Sequence, residues 1–200
     1  MFPMTELSAG FSEALVFAAR LHRGQRRKGP GGAPYLAHLL AVAATVLEFG
    51  GTEEEAIAAL LHDAVEDQGG AATRELIARM FGDGVAAIVD ECTDTDIEPK
   101  PPWKDRKDAF IAGLPQVSSS ALLVILADKL HNIRSTIRDL ASAGDQVWQR
   151  FRGGREGTLW YYRAVAEAVR PRDERTRALA AEFRLAVQQL EQMAQRPARR

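Results

Sequence analysis

The segment Leu60-Leu61-His62-Asp63-Ala64-Val65-Glu66-Asp67 sets four polar, reactive side chains into an otherwise apolar stretch. Read as helix, His62 and Glu66 are four residues apart and share one line of its surface. Asp63 and Asp67 share the neighbouring line. Burying such a face costs several kcal/mol unless every group finds a partner. A divalent cation is a partner for two of them. A second apolar segment repeats the pattern: Val124-Ile125-Leu126-Ala127 runs into Asp128, Lys129, His131 and Asn132, with Asp128 and Asn132 on one face. His38 adds another imidazole. Two histidines with two aspartates suit Mn²⁺, Fe²⁺ or Zn²⁺, because imidazole selects transition metals while carboxylates accept harder ions. Four protein ligands leave room for water and substrate around an octahedral ion. A His-Asp dipeptide alone occurs often by chance, and His38 or Asp128 alone reads equally well as a satisfied core residue. Their joint occurrence on apolar helices, beside the acidic pair Glu66 and Asp67, points to metal-assisted hydrolysis.

The elements that must position these residues are helical throughout. Thr5 is expected to cap a first helix to about His22, followed by a basic, glycine-rich stretch through Ala33. Pro34 is expected to begin a second helix to Phe49. Thr52 and Glu55 form a capping box for a third, carrying Ala56 to Asp67. Thr73 is expected to cap a short helix to Phe81, with a turn at Gly82 to Gly84 and a further helix from Val85 to about Cys92. An acidic, then proline-rich loop covers Thr93 to Pro102. Helices follow over Trp103–Leu114, Ala121 to about Ala141, Arg155–Val169 and Asp173 to about Gln195, then a polar tail. No strand-like alternation and no internal repeat appears. The expectation is an all-α, single-domain protein.

Composition bounds the function. The chain has 200 residues, 46% hydrophobic and 26% charged, with a formal net charge of -1. That fits one ordinary globular domain and argues for neither nucleic acid nor membrane as partner. The N-terminus MFPMTELSAG lacks the pattern of a signal peptide, and no uncharged apolar run is long enough to span a bilayer. The single cysteine, Cys92, reads as a buried apolar residue and fits a reducing cytoplasm. An oligomer is compatible with all of this. Arg170, Arg172, Arg175, Arg177 and Arg184 near the C-terminus read as a helix surface paired with Asp173, Glu174 and Glu182.

Taken in order, several stretches resemble the hydrolase domain of RelA/SpoT-type alarmone hydrolases, including their small single-domain members. They are HRGQRRKG (His22 to Gly29), PYLAH (Pro34 to His38), ALLHDAVED (Ala59 to Asp67), FGDGVAAIV (Phe81 to Val89), Thr93-Asp94, DRK (Asp105 to Lys107) and LADKLHNIRS (Leu126 to Ser135), with LWYYRAVAEAV like the closing helix. The resemblance implies an HD-type helical bundle around one Mn²⁺, held by His38, His62, Asp63 and Asp128. It gives residues 1–170 to the phosphohydrolase domain, with residues 171–200 a helix and tail of the same unit. It implies that Glu66 and Asp67 serve the attacking water, and that Arg27, Lys28 and Asn132 contact the nucleotide. The implied reaction is hydrolysis of the 3′-pyrophosphate of guanosine tetra- or pentaphosphate to GDP or GTP and pyrophosphate. No synthetase segment is expected.

General chemistry agrees with that reaction. A bound divalent ion brings the pKa of water toward neutrality, and an adjacent carboxylate can take a proton and orient the nucleophile. Arg23, Arg26, Arg27, Lys28, Arg106 and Lys107 offer positive charge for the pyrophosphate, although Arg23 and Arg26 read equally well as a solvated face. Trp103, Trp148 and Trp160 read as core or rim packing rather than base-stacking platforms. The loop after Lys28 is longer than the family's usual link and carries Gly29 where serine is common, while Ser135 replaces a frequent threonine. That loop shapes the base pocket, so adenosine alarmones or another 3′-phosphorylated nucleotide are an alternative substrate. A non-catalytic nucleotide-binding module is a third reading.

Overall fold

The computed structural model describes residues 5–29, 31–95 and 99–195. Pro30, residues 96–98 of the acidic loop and the expected polar tail at 196–200 lie outside the described residues. Among the described residues the fold is all-α, with one isolated antiparallel bridge between Arg26 and Pro34.

Helix α1 spans Ala9–Leu21 and is capped by Ser8, whose hydroxyl accepts from the Gly10 N–H at 3.0 Å. The expected cap, Thr5, lies outside the helix and donates instead to the Gly51 carbonyl at 2.6 Å. Helix α2, Leu36–Glu48, begins two residues after the expected Pro34. Pro34 is occupied in the bridge to Arg26, which is flanked by Arg27 N–H to Ala33 O at 2.9 Å and Tyr35 N–H to Gln25 O at 3.0 Å. These bonds pin both ends of the glycine-rich loop.

Helix α3, Glu53–Leu61, carries the expected Thr52–Glu55 capping box. It does not continue to Asp67 as one rod. The backbone shifts at Asp63 (φ -97°, ψ 0°), and a single turn, α4, covers Ala64–Asp67. In a straight helix Asp63 would point about 100° around the axis from His62. The joint brings both side chains to the same point.

Helix α5, Gly70–Phe81, starts before Thr73, whose hydroxyl donates back to the Gln68 carbonyl at 2.5 Å. Helix α6 covers Asp83–Cys92, so the expected turn is shorter and Gly82 alone precedes the helix. Helix α7, Trp103–Gly113, runs into a 3₁₀ turn at Leu114–Gln116. Helix α8, Ser119–Ala143, is capped by the Ser118 hydroxyl and followed by a 3₁₀ stretch, Gly144–Arg150. Helices α9, Gly154–Ala168, and α10, Glu174–Ala194, complete the chain. Every residue from Ala121 to Asp128 is buried, so the first half of α8 is the central rod, apolar on all sides. It packs against α2, α3, α6 and α10. No helix among the described residues is long and apolar enough to cross a membrane.

The α10 terminus is tied to the rod beneath the site. The buried Glu55 carboxylate accepts from Thr52 N–H and from Arg175 Nη1, both at 2.7 Å. Arg175 also reaches Asp173, the α10 cap, at 3.0 Å. Arg175→Met leaves that carboxylate half-paired and is expected to cost about 2–3 kcal/mol, read as a lower urea midpoint with unchanged slope. The expected surface pairing is partly realised: Glu182 meets Arg134 of α8 at 2.6 Å rather than an arginine of its own helix.

Candidate active site

Three elements converge at one end of α8. His38 comes from α2, His62 and Asp63 from the joint between α3 and α4, and Asp128 from α8. His38 Nε2 lies 3.2 Å from Asp128 Oδ1 and 3.6 Å from Asp63 Oδ2. His62 Nε2 lies 3.1 Å from Asp63 Oδ2 and 3.7 Å from Asp128 Oδ1. Neither ring nitrogen has a hydrogen-bond partner among the described residues, although both are buried. Orphaned buried polar atoms are rare because they forfeit solvation. Ligand atoms of His38, His62 and Asp128 all lie within 4.8 Å of one another, and this donor set fits a divalent ion.

Electrostatics says the same. Burial would push the His62 imidazole down, but the facing Asp63 and Asp128 carboxylates outweigh it and hold it well above its usual range. Burial would raise both carboxyls. The His62 and His38 rings instead hold Asp63 well below the usual carboxylate range, and the Lys129 ammonium with the same rings does so for Asp128. The cluster demands positive charge at its centre.

Neighbours divide the carboxylate oxygens. Asp128 Oδ2 accepts from Lys129 Nζ at 2.6 Å, while Oδ1 faces the rings and accepts from Asn132 Nδ2 at 2.5 Å. Asp63 Oδ2 accepts from the Tyr35 hydroxyl at 2.6 Å. Burial and Asp63 push that hydroxyl far up, so Tyr35 keeps its proton and donates at neutral pH. His62 Nδ1 sits 2.8 Å from the Ala59 carbonyl, and His38 Nδ1 sits 2.7 Å from His131 Nδ1. Burial, then His38 and Arg27, push the His131 imidazole down to about 4.

The two acids of α4 are not equivalent. Glu66 joins His62, Asp63 and Asp128 in lining a deep pocket of about 150 Å³, and its carboxylate meets Lys100 at 3.0 Å and Arg106 at 3.8 Å. Asp67 faces only the outer cavity and accepts from Gln25 Nε2 at 2.8 Å. The amide oxygen of Gln25 is in turn engaged by His22 Nδ1 and Gln68 Nε2, each at 2.7 Å.

The outer cavity is about 510 Å³ and is lined by Arg27, Lys28, Asn132, Arg106 and Lys107 together with Glu66 and Asp67. Arg27 donates to Asn132 Oδ1 at 2.7 Å, which links the glycine-rich loop through Asn132 to Asp128. Arg106 and Lys107 both pair with Asp94, at 2.5 and 2.7 Å, so part of their charge is already compensated. Trp103 also lines this cavity, while packing its ring against Gly153 and Gly157. Trp148 is buried, and Trp160 carries Lys104 over its face at 3.9 Å. Tyr35, Gln25, Lys129, Asp94 and His131 contact the predicted site without having been assigned a role from the sequence. Tyr35, Gln25 and His131 stood inside the matched stretches, where an invariant-looking polar residue beside a ligand was the available signal.

Residues 14–159 match the HD domain family model, and the chain belongs to that family. It is a hydrolase of the small, single-domain kind. It is 41% identical over 151 residues to the guanosine-3′,5′-bis(diphosphate) 3′-pyrophosphohydrolase MESH1 of Xenopus tropicalis, covering 74% of this chain and 79% of that relative. The Homo sapiens MESH1 is 40% identical over 147 residues, covering 72% and 77%. A solved structure of a metazoan ortholog of SpoT that hydrolyzes ppGpp superimposes with a TM-score of 0.72 at 30% identity, over 92% of this chain and 96% of that one.

Proposed function

We propose that the protein hydrolyses the 3′-pyrophosphate of guanosine tetra- or pentaphosphate, with Mn²⁺ held by His38, His62, Asp63 and Asp128. The observation that carries this reading is the pair of buried, partnerless Nε2 atoms facing two carboxylates at the floor of a cation-lined cavity. The activity of the similar relatives supports the substrate. A divalent ion bound there supplies Lewis-acid polarisation, bringing the pKa of water from about 15.7 toward about 7.

The chain's own groups do the rest. Glu66, the acid in the deep pocket, accepts a proton from the attacking water, and Lys100 and Arg106 hold its carboxylate in place. Asp67, oriented by Gln25, faces the substrate side and helps position the water. Arg27, Lys28 and Asn132 hold the nucleotide, and Arg106 and Lys107 face the pyrophosphate with Asp94 fixing their direction. Water is added across the bond between the ribose 3′ oxygen and the pyrophosphate, and the proton taken up by Glu66 returns to the 3′ oxygen. The helix beyond residue 170 belongs to the same unit, with α10 lying along α8 and α9. A cytoplasmic location fits the single free cysteine.

One feature favours a second reading of the base. Gly29 has φ 140°, and a Cβ there would stand 2.7 Å from Arg150 Nη1. The serine common at this position in the resembling family therefore does not fit without moving the Arg150–Asp139 pair. The base pocket is built differently, which keeps adenosine alarmones in play. Side-by-side turnover of the guanosine and adenosine tetraphosphates with Mn²⁺ decides this. The main reading expects the guanosine substrate to be preferred, and a strong adenosine preference overturns it.

A further inference from the structure

Two imidazoles present the same nitrogen, Nε2, to the centre of the cluster, and each must leave that nitrogen bare to bind a cation. For His62 the condition is met by the backbone. Its Nδ1 lies 2.8 Å from the Ala59 carbonyl, which can only accept, so the ring proton belongs on Nδ1.

His38 has a different partner. Its Nδ1 faces the Nδ1 of His131 at 2.7 Å, with ring centroids 4.8 Å apart. Two ring nitrogens at that distance share one proton, so one donates and the other accepts. If His131 donated, a neutral His38 would carry its proton on Nε2, aimed at Asp128 3.2 Å away, and would be closed to a cation. A bare His38 Nε2 requires the reverse: His38 Nδ1–H donates, and His131 accepts with its own proton on Nε2.

We infer that His131 is a positioning residue that selects the metal-binding tautomer of His38 and fixes the orientation of its ring. The inference rests on the metal reading proposed above. His131 stands three residues after Asp128, so both lie on one face of α8. One helix thus provides a carboxylate to the cluster and the acceptor that prepares its partner on α2. His131 lines neither the main cavity nor its deep pocket. It borders a separate side pocket of about 120 Å³ with Lys28, Arg138 and Asp139, so its effect on the reaction passes through His38. Groups that hold a ligating histidine by its other nitrogen typically change metal affinity about 10–100-fold when removed.

The test compares His131→Leu, which removes the acceptor, with His131→Asn, whose amide oxygen can occupy the position of Nδ1. Mn²⁺ affinity is measured by equilibrium titration of the whole protein, with free Mn²⁺ read by electron paramagnetic resonance. The Leu variant is expected to bind Mn²⁺ about 10–100-fold more weakly, and the Asn variant close to wild type. Wild-type affinity in the Leu variant overturns the inference, as does an Asn variant as weak as the Leu one. A wild-type protein that takes up no Mn²⁺ removes the metal reading, and this inference with it. Should the Leu variant not fold, imidazole ¹⁵N shifts of the wild-type protein loaded with diamagnetic Zn²⁺ decide. His38 protonated on Nδ1 and His131 on Nε2 is the expected result; a proton on His131 Nδ1 overturns it.

Discussion

Asp128→Asn should strip the protein of its divalent ion and of its activity together. The Asp128 carboxylate is the group on which the site converges: Oδ1 lies 3.2 and 3.7 Å from the two ring nitrogens, while Oδ2 is held by Lys129. The amide keeps the volume and removes the charge. It leaves Lys129 buried without its counter-ion and the two rings facing a single carboxylate. Polarisation by a bound ion is worth several kcal/mol at the transition state, and about 4 kcal/mol corresponds to about a thousandfold in rate. Turnover should fall by at least about that factor. Metal content per chain, measured by elemental analysis, should fall in parallel while helical circular dichroism is retained. A variant that keeps stoichiometric metal removes Asp128 from the ligand set.

Glu66→Gln should behave in the opposite way with respect to metal. Glu66 shares the deep pocket with the cluster but lies on α4, with its carboxylate turned to Lys100 and Arg106. The amide cannot take a proton from water. The loss of a positioned general base lowers kcat by about 10²–10⁴-fold, with metal stoichiometry unchanged. Asp67→Asn should cost less, because Asp67 lies outside the deep pocket and is tied to Gln25. Steady-state rates of the two variants at saturating Mn²⁺ separate these roles. Equal losses would mean that the two acids share the proton transfer.

Much of the fold was legible because helix signals are local. The Thr52–Glu55 box marks the start of α3 in sequence and in structure, and Ser118 caps the apolar rod α8. The failures come from long-range partners. Thr5 and Ser8 are both good caps, and only the Gly51 carbonyl, far along the chain, draws Thr5 away. The segment Ala56 to Asp67 reads as unbroken helix because nothing in it breaks one. The joint at Asp63 is accompanied by the Tyr35 hydroxyl and the facing rings, which come from other elements. The same limit applies to the site. Histidines and carboxylates on apolar faces reveal a cation site by composition alone. Which of Glu66 and Asp67 faces it, and that Asp94 engages both Arg106 and Lys107, depends on how separate segments meet.

The central claim is tested most directly by product analysis before and after metal loading. Metal-stripped protein is incubated with guanosine tetraphosphate, Mn²⁺ is then added, and nucleotides and phosphates are resolved by anion-exchange chromatography. The predicted result is no conversion before Mn²⁺, and equimolar GDP and pyrophosphate after it. Intact substrate at every Mn²⁺ concentration, or orthophosphate in place of pyrophosphate, would contradict the account.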